Sequence, residues 1–356
     1  MSLLALLAVA HAAPVAVEPV EVARAHGAHV QRPVWCPDGR LLSWEANDHE
    51  ARRVTLHVGP PEGPFAPVGP PASPQSAFTA GFATVRPPGV AHELSWSPAA
   101  PGTYVYAAST DGSDYDLFLS TGARLSPSPG ADGGAAWSPD GRRLAFTSAR
   151  TGDGDLYLLE ARSLGAAPRR LTATPGAAEL FPAWSPDGRS LVYVGHAPTG
   201  DQVWLWRDLA GEPVTLSRGP GTRLRPTWSP DGRLVAWHAS AADPRRFDLV
   251  VAEARDGAVP RVLVEGVLRD ANGPSWTPDG RHLVVVRDDD AALDPVVVVP
   301  VDGGPPRALE LGTVGHGDLD LVERDGALWL AWVAQGRVDD PVRDFKRLFV
   351  APVSLP

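Results

Sequence analysis

Short apolar segments recur along this chain, and turn-forming residues bound each of them. Representative segments are Leu144–Phe146, Val192–Val194, Val235–Trp237 and Val284–Val286. β-Branched and aromatic residues dominate these segments, and such residues favour strands over helices. No stretch shows the sustained apolar periodicity of a capped helix. The pattern therefore predicts an all-β protein.

One motif precedes the apolar segments and repeats along the chain. Its clearest copy, Trp-Ser-Pro-Asp-Gly-Arg, runs from Trp184 to Arg189, and related copies begin at Trp35, Trp96, Trp137, Trp228 and Trp276. Successive copies are 61, 41, 47, 44 and 48 residues apart. A seventh copy, Leu321–Gly326, lacks the Trp and the Pro but keeps the period. Repeats of about 40 to 50 residues that are rich in short strands predict the blades of a β-propeller.

The motif is predicted to form a turn rather than a catalytic site. Pro fixes the φ angle that the second position of a type I turn requires, Asp bonds the turn's own backbone, and Gly accepts a positive φ. The preceding Trp is expected to fill the space between neighbouring blades. The second copy, Trp96–Gly102, has one additional residue and predicts a longer hairpin loop. Every blade needs a turn whereas an active site is needed once, so repetition favours a structural role.

The blades are expected to be four-stranded and antiparallel. In the third repeat the strands fall within Gly134–Pro139, Arg143–Ser148, Asp155–Glu160 and Arg169–Thr172. The seventh repeat supplies three strands, over Asp318–Glu323, Ala327–Val333 and Arg347–Val353. An N-terminal strand at Val20–Ala23 is expected to complete this last blade and close the ring. We therefore predict seven blades, with six as the alternative.

A single propeller domain is predicted over residues 14–356, with a Pro-rich insertion at residues 59–92. The insertion accounts for the 61-residue gap between the first two copies of the motif. Pro cannot donate a hydrogen bond to a sheet, so this segment is expected to lie outside the blades. It is either a solvated excursion or a binding arm, since long loops often carry function.

The repeats resemble the TolB-type propeller repeat of the WD40-like superfamily. In that repeat, a Trp-Ser-Pro-Asp-Gly turn leads into a Leu-Ala-Phe strand and then into an Asp-Leu-Tyr element, which is matched here at Asp116–Phe118, Asp155–Tyr157 and Asp248–Val250. The resemblance covers nearly the whole chain after its first residues. It implies a propeller that binds protein partners, and it underlies the six-blade alternative. A shared fold does not by itself define function.

Charge and composition exclude several classes of partner. The 356 residues carry a formal net charge of -10, and a nucleic acid or an anionic membrane would require a basic surface. With one cysteine, Cys36, neither an intramolecular disulfide nor a multi-cysteine metal site can form. Residues 1–13 contain the apolar run Leu3–Ala10, which is too short to span a bilayer and has the character of a signal peptide. A monomeric protein, periplasmic or secreted, without a transmembrane segment is expected.

Motifs of common enzyme classes are absent from the sequence. It contains no Gly-x-Ser-x-Gly, no His-Glu-x-x-His and no phosphate-binding glycine loop. The acidic run Asp288–Asp290, with Asp294 nearby, lacks the alternating spacing and the bending Gly of a calcium loop. We interpret it as a solvated turn, with calcium as the alternative. No catalytic residue, metal site or cofactor is predicted.

Polar residues before each motif Trp are the candidate site. The first strand of a propeller blade lines the central channel, so residues just ahead of it are expected to meet at one mouth of the channel. The candidates for ligand or partner binding are Gln31, His92, Glu93, Asp132, Glu179, Arg223, Asp270 and His316. Carboxylates dominate this set, so the mouth is expected to be negative and to favour a basic segment.

Two functions are compatible with these features. The leading hypothesis is an exported, non-catalytic TolB-like propeller that serves as a protein- or peptide-binding scaffold. The alternative is a hydrolase or lyase that acts on a carbohydrate or lactone at the channel mouth with the assistance of a metal ion. That enzyme would require several carboxylates or histidines close together around the ion.

Overall fold

Seven four-stranded antiparallel sheets form the blades of a β-propeller, which confirms the predicted fold class and blade number. The structure is a computed structural model that describes residues 18–25, 27–48, 50–51, 53–68, 90–109, 114–240, 246–270, 272–288, 294–338 and 346–355. Two short 3₁₀ helices, Ala161–Ser163 and Arg207–Leu209, are the helical segments of this part of the chain.

Six blades follow one another along the chain after strand β1 (Val20–Ala23). Blade 1 contains β2 (His29–Trp35), β3 (Leu42–Asp48), β4 (Arg53–Gly59) and β5 (Ala66–Val68). Blade 2 contains β6 (Val90–Trp96), β7 (Tyr104–Ser109), β8 (Asp116–Leu119) and β9 (Arg124–Leu125). Blade 3 contains β10 (Asp132–Trp137), β11 (Arg143–Ser148), β12 (Asp155–Glu160) and β13 (Arg169–Arg170). Blade 4 contains β14 (Ala178–Trp184), β15 (Leu191–Ala197), β16 (Gly200–Trp206) and β17 (Val214–Thr215). Blade 5 contains β18 (Arg223–Trp228), β19 (Leu234–Ala239), β20 (Phe247–Glu253) and β21 (Arg261–Val267). Blade 6 contains β22 (Ser275–Trp276), β23 (His282–Val286), β24 (Val296–Pro300) and β25 (Arg307–Ala308).

The two ends of the chain share blade 7. It contains β27 (Leu319–Arg324), β28 (Ala327–Ala334), β30 (Arg347–Val353) and β1, in the spatial order β27-β28-β30-β1. Strand β1 pairs antiparallel with β30, and Val20 lies opposite Val350. The predicted closure of the ring by the N-terminal strand is confirmed. A separate two-stranded sheet, β26 (Thr313–Val314) with β29 (Gly336–Arg337), lies beside this blade.

The Pro-Asp-Gly turns have the predicted geometry. In blade 3, Gly141 has a φ of 65° and donates its N–H to Ser138 O at 2.8 Å. The Asp140 carboxylate accepts hydrogen bonds from Ser138 Oγ at 2.6 Å and Arg142 N at 3.1 Å. In blade 2 the loop is longer, and the hydrogen bond from Ser97 N to Thr103 O closes it. In blade 7, consecutive positive φ angles of 52° and 75° at Asp325 and Gly326 indicate a tighter two-residue type I′ turn.

The core is divided among the boundaries between blades. Each of seven clusters of buried apolar residues is shared by two adjacent blades. Motif tryptophans cross these boundaries as predicted. The indole N–H groups of Trp96, Trp184 and Trp228 donate to a carbonyl of the preceding blade, each at 3.1 Å. Each Trp therefore fills apolar space and adds a hydrogen bond between two sheets.

The start of the Pro-rich insertion belongs to a blade, contrary to the expectation that it would lie outside the sheets. β5 is the outer strand of blade 1, and Pro67 lies opposite His57 of β4. Pro is tolerated there because N–H groups on the outer side of an edge strand have no neighbouring strand to pair with. The last residues of the insertion, 90–92, belong to β6 of blade 2, and residues 69–89 lie outside the described residues.

Candidate functional site: the central channel

The innermost strands are bulged near their middle, and this bulge determines which side chains line the channel. Pairing with the second strand shifts register in blades 1 to 5 just before the motif Trp. The residue three positions before the Trp has a positive φ, between 49° and 58°, in all five blades: Arg32, Glu93, Gly134, Phe181 and Arg225. Left-handed backbone at a non-Gly residue is uncommon and concentrates at functional sites.

These left-handed residues meet at the axis of the ring. They line a cavity of about 250 Å³ to which all seven blades contribute. Its lining includes Arg32, Glu93, Gly134, Phe181, Arg225, Asn272 and Asp320, from blades 1 to 7 respectively. The channel wall therefore combines two cations, two acidic groups and one aromatic ring.

An ion pair crosses the channel. Arg225 Nη2 of blade 5 lies 3.3 Å from Glu93 Oε1 of blade 2, although these blades are not neighbours. The guanidinium also lies over the ring of Phe181 in blade 4, with 4.2 Å between Cζ and the ring centroid. Such stacking is favourable when the cation is partly desolvated. Arg225 therefore links three blades through its side chain.

Acidic side chains join neighbouring blades by accepting backbone N–H groups. Glu45 of blade 1 accepts from Glu93 N at 2.9 Å, and Glu93 in turn accepts from Gly134 N at 2.8 Å. At the junction of blades 7 and 1, Asp318 accepts from Arg32 N at 2.8 Å and Asp320 accepts from Trp35 N at 2.7 Å. These contacts satisfy buried backbone donors, so the carboxylates have a structural use.

Burial and charge shift the pKa values of the channel residues. Burial, with help from the charge of Arg32, lowers the pKa of Arg225 to about 10. Burial raises the pKa of Asp320 to about 7, against two backbone hydrogen bonds that lower it. Burial would lower the pKa of Arg32, but the charges of Glu45 and Glu93 raise it. The channel is thus a desolvated site in which cations and carboxylates compensate one another.

Metal ligation is not supported by the described residues. No group of three or more His, Cys, Asp or Glu side chains there is arranged to hold an ion. Asp289 and Asp290, which belong to the acidic run considered for calcium, lie outside the described residues.

In the described part of the chain, no helix is long and apolar enough to cross a membrane.

Comparison with known proteins places this architecture in a family. The sequence profile of the TolB beta propeller domain matches residues 94–312, which is more than half of the chain. This chain belongs to the TolB β-propeller domain family. No curated protein matches its sequence significantly.

Solved structures share the fold of this TolB-family propeller at low sequence identity. TolB from Acinetobacter baumannii is 18% identical with a TM-score of 0.50, and the match covers 78% of this chain and 62% of that one. A puromycin-hydrolyzing peptidase from Mycobacterium tuberculosis is 18% identical with a TM-score of 0.63, over 89% of this chain and 51% of the peptidase. An oligogalacturonate lyase from Vibrio parahaemolyticus is 12% identical with a TM-score of 0.61, over 95% and 94%. This chain therefore spans less than two thirds of TolB and about half of the peptidase, and the likeness shows the fold alone.

Three of the eight candidate residues are buried within or between blades and do not line the channel cavity. Asp132 pairs with Arg150 at 3.1 Å, and Glu179 accepts from Thr172 Oγ1 at 2.8 Å. Arg223 donates to backbone carbonyls, among them that of Ser240 at 3.1 Å. Burial raises the pKa of Asp132 to about 6, raises that of Glu179 and lowers that of Arg223. The expected convergence of these three is corrected: the bulge brings the residue three before the Trp to the channel, not the residues ahead of it.

The remaining candidates have mixed positions. Glu93 lines the channel. Gln31 donates to Glu45 at 3.0 Å within blade 1, and Asp270 accepts from Leu319 N at 3.2 Å at the boundary between blades 6 and 7. His316 is buried, with Thr313 Oγ1 2.8 Å from its Nε2. The side chain of His92 lies outside the described part of the structure. The expectation of a negative mouth is also corrected, because Arg32 and Arg225 line the cavity together with Glu93 and Asp320.

The sequence contains a signal for three channel residues that were not predicted, Arg32, Phe181 and Arg225. Arg32, Phe181 and Arg225 are each followed by Pro, and Pro274 occupies the same position in the sixth repeat. Pro has no N–H to donate to the neighbouring strand. A Pro in the middle of a strand that pairs with its neighbour therefore indicates a bulge. The bulge could have been predicted, and with it the change of register.

Proposed function

We propose that this chain is an exported, non-catalytic TolB-family propeller that binds a protein or peptide partner at its central channel. The observation that carries the proposal is the size and chemistry of the channel. About 250 Å³ is less than the roughly 300–1,000 Å³ of pockets that enclose small-molecule ligands. The cavity suits one or two side chains of a partner whose remaining surface rests on the rim.

The carboxylates of the channel argue for binding rather than catalysis. Asp318 and Asp320 accept N–H groups from Arg32 and Trp35, so they fix the boundary between blades 7 and 1. A general acid or base needs access to substrate, and replacing these contacts would leave buried donors unpaired. Arg225 lies over the ring of Phe181 in the channel, and Arg is among the residue types enriched at partner-binding hot spots.

The alternative enzyme is a lyase or hydrolase in the channel. The match over almost the full length of an oligogalacturonate lyase makes carbohydrate cleavage the activity to test. The described residues offer no metal-ligand group for it, so we rank it second.

Site-specific photo-crosslinking in the native host tests the binding proposal. A photoreactive phenylalanine analogue replaces Phe181 in the channel, and the control variant carries it at Arg162 on the exposed 3₁₀ helix. We expect a defined protein adduct from position 181 that is absent from position 162. The same adducts at both positions, or none at 181, would contradict the proposal. Conversion of oligogalacturonate to an unsaturated product by the purified protein, lost in Glu93→Gln, would establish the alternative instead.

Export rests on residues 1–13, which lie outside the described residues. Intact mass and N-terminal sequencing of the protein from the periplasm or the medium should show removal of the apolar run Leu3–Ala10. A full-length protein retained in the cytoplasm would refute export while leaving the binding proposal open.

A further inference from the structure

A large groove lies outside the channel. It measures about 950 Å³ and lies between blades 5 and 6, at the end of the blades that carries the Pro-Asp-Gly turns. The turn at Asp231–Arg233 and the residues between β20 and β21 form one wall. Arg281 and the chain after β24 form the other.

Cations dominate this groove although the whole chain is acidic. Five arginines line it against three carboxylates: Arg207, Arg233, Arg255, Arg261 and Arg281 against Asp231, Glu253 and Asp302. The net charge of the chain is -10, so the groove is a local reversal of sign. Such a patch concentrates anionic ligands by its field.

The carboxylates of the groove neutralise only part of its positive charge. Asp231 accepts from Ser229 Oγ at 2.6 Å and from Arg233 N at 3.0 Å, and these bonds lower its pKa. Glu253 pairs with Arg255. Within the described residues, no carboxylate lies within ion-pair distance of the exposed guanidiniums of Arg233 and Arg281. A ligand carboxylate could reach both without displacing an existing ion pair.

The neighbouring strand indicates that the anionic ligand is an extended peptide. β21 has seven residues, whereas the outer strands of blades 1 to 4 and 6 have two or three. Its outer edge is paired near Val267, by a bridge to Arg287, but not over residues 261–265 within the described structure. Val259 and Val262, which are 77% and 51% exposed, lie at the start of this edge. An unpaired edge beside exposed apolar residues can accept a further strand.

We propose that the groove between blades 5 and 6, together with the edge of β21, binds an extended acidic segment of a protein partner. Backbone groups of the segment pair with β21, its apolar residues contact Val259 and Val262, and its carboxylates bind Arg233 and Arg281. The site is separate from the channel, so its test does not depend on the proposed channel function.

Fluorescence anisotropy with the full chain and a short labelled peptide of alternating Val and Glu tests this proposal. The double variant Arg233→Glu/Arg281→Glu should weaken binding about tenfold or more, since two charge pairs become repulsive. The matched control is Arg40→Glu/Arg189→Glu, which changes the same position of the turn in blades 1 and 4 and the same net charge. Its affinity should remain within about twofold of the wild type. Thermal melts establish that both variants are folded.

Several outcomes would overturn the proposal. One is absence of binding by the wild type, and another is equal weakening by both double variants, which would show only a general charge effect. Equal affinity for a Val-Gln peptide would exclude recognition of carboxylates. Complete displacement of the peptide by inorganic phosphate, at a concentration as low as that of the peptide, would show that the groove binds small anions and does not recognise a peptide.

Discussion

At the scale of single residues, the left-handed positions of the inner strands connect architecture with the site. Arg32, Glu93, Phe181 and Arg225 have positive φ angles at equivalent places in four repeats. A non-Gly residue in this conformation costs about 1–2 kcal/mol. The packed blades on either side maintain it, and the result is a ring of unlike side chains around one cavity.

The ion pair across the channel should couple two distant blades. Glu93→Gln and Arg225→Gln should each destabilise the protein, and the double variant should lose less than the sum of the two, because removing either partner leaves the other desolvated without its opposite charge. We expect a coupling of about 1 kcal/mol, since both side chains are about one-fifth exposed. Urea titration of the four proteins in a double-mutant cycle measures it. Strictly additive losses would contradict a bridging role.

Asp320 should make stability depend on pH. Its pKa is about 7 in the folded protein and about 4 in an unfolded chain, so folding takes up a proton between these values. The free energy of unfolding should therefore fall, by about 1–2 kcal/mol after allowance for its partial exposure, as the pH rises from about 4 to about 7. Asp320→Asn should be less stable at low pH, because it lacks one of two acceptors, and the gap should narrow toward neutral pH. A gap that widens with pH would contradict the assigned direction.

Within each element, the Pro-Asp-Gly turn combines backbone conformation with contact to the preceding blade. A Cβ on Gly141 would lie 2.3 Å from Ala99 Cβ, whereas one on Gly280 would lie 3.5 Å from its nearest neighbour, and both glycines have a φ near 65°. Gly280→Ala should therefore cost about 1–2 kcal/mol from strain alone. Gly141→Ala should cost about 1–3 kcal/mol more, from overlap with Ala99. Equal decreases of the denaturant midpoint in the two variants would show that the overlap with Ala99 adds no energetic cost.

The motif Trp and the motif Asp should differ in importance. Trp184 is buried between blades 3 and 4 and donates to Ala136 O, so Trp184→Ala should cost about 3–5 kcal/mol. Asp187 bonds within its own turn, to Ser185 Oγ and Arg189 N, and Asp187→Ala should cost about 1 kcal/mol. Chemical denaturation compares them. Loss of partner binding in a stable Asp187→Ala protein would contradict the structural role of the turn.

For the whole molecule, stability depends on closing the ring. β1 pairs with β30 and its Val22 and Ala23 pack on the cluster shared by blades 7 and 1. Deletion of residues 1–24 should lower the melting temperature by several degrees, since an open ring exposes an edge and part of this cluster. Deletion of residues 1–17 is the matched control, because it leaves β1 in place. Identical melts for the two truncations would show that β1 contributes nothing.

The sequence by itself determined the strands and turns of the blades, and it predicted seven blades with six as the alternative. These depend on local chemistry, namely Pro and Gly at a turn and β-branched residues beside it, and the chain repeats that chemistry in every blade. Strand bounds in the third repeat were predicted to within two residues at every end for the same reason. Closure by Val20–Ala23 followed from counting strands. The seventh repeat supplies only three strands, and a fourth strand is needed to complete its blade.

Only the tertiary structure decided which side chains share the channel. Pro marks the bulges in the sequence, but only the closed ring brings Arg32, Phe181 and Arg225 together at one cavity, whereas Asp132, Glu179 and Arg223 are buried within or between blades. The ion pair of Arg225 with Glu93 joins residues 132 positions apart in non-neighbouring blades. No local pattern encodes such a contact, because it depends on the diameter of the closed ring and on which seven residues arrive at the same height along its axis.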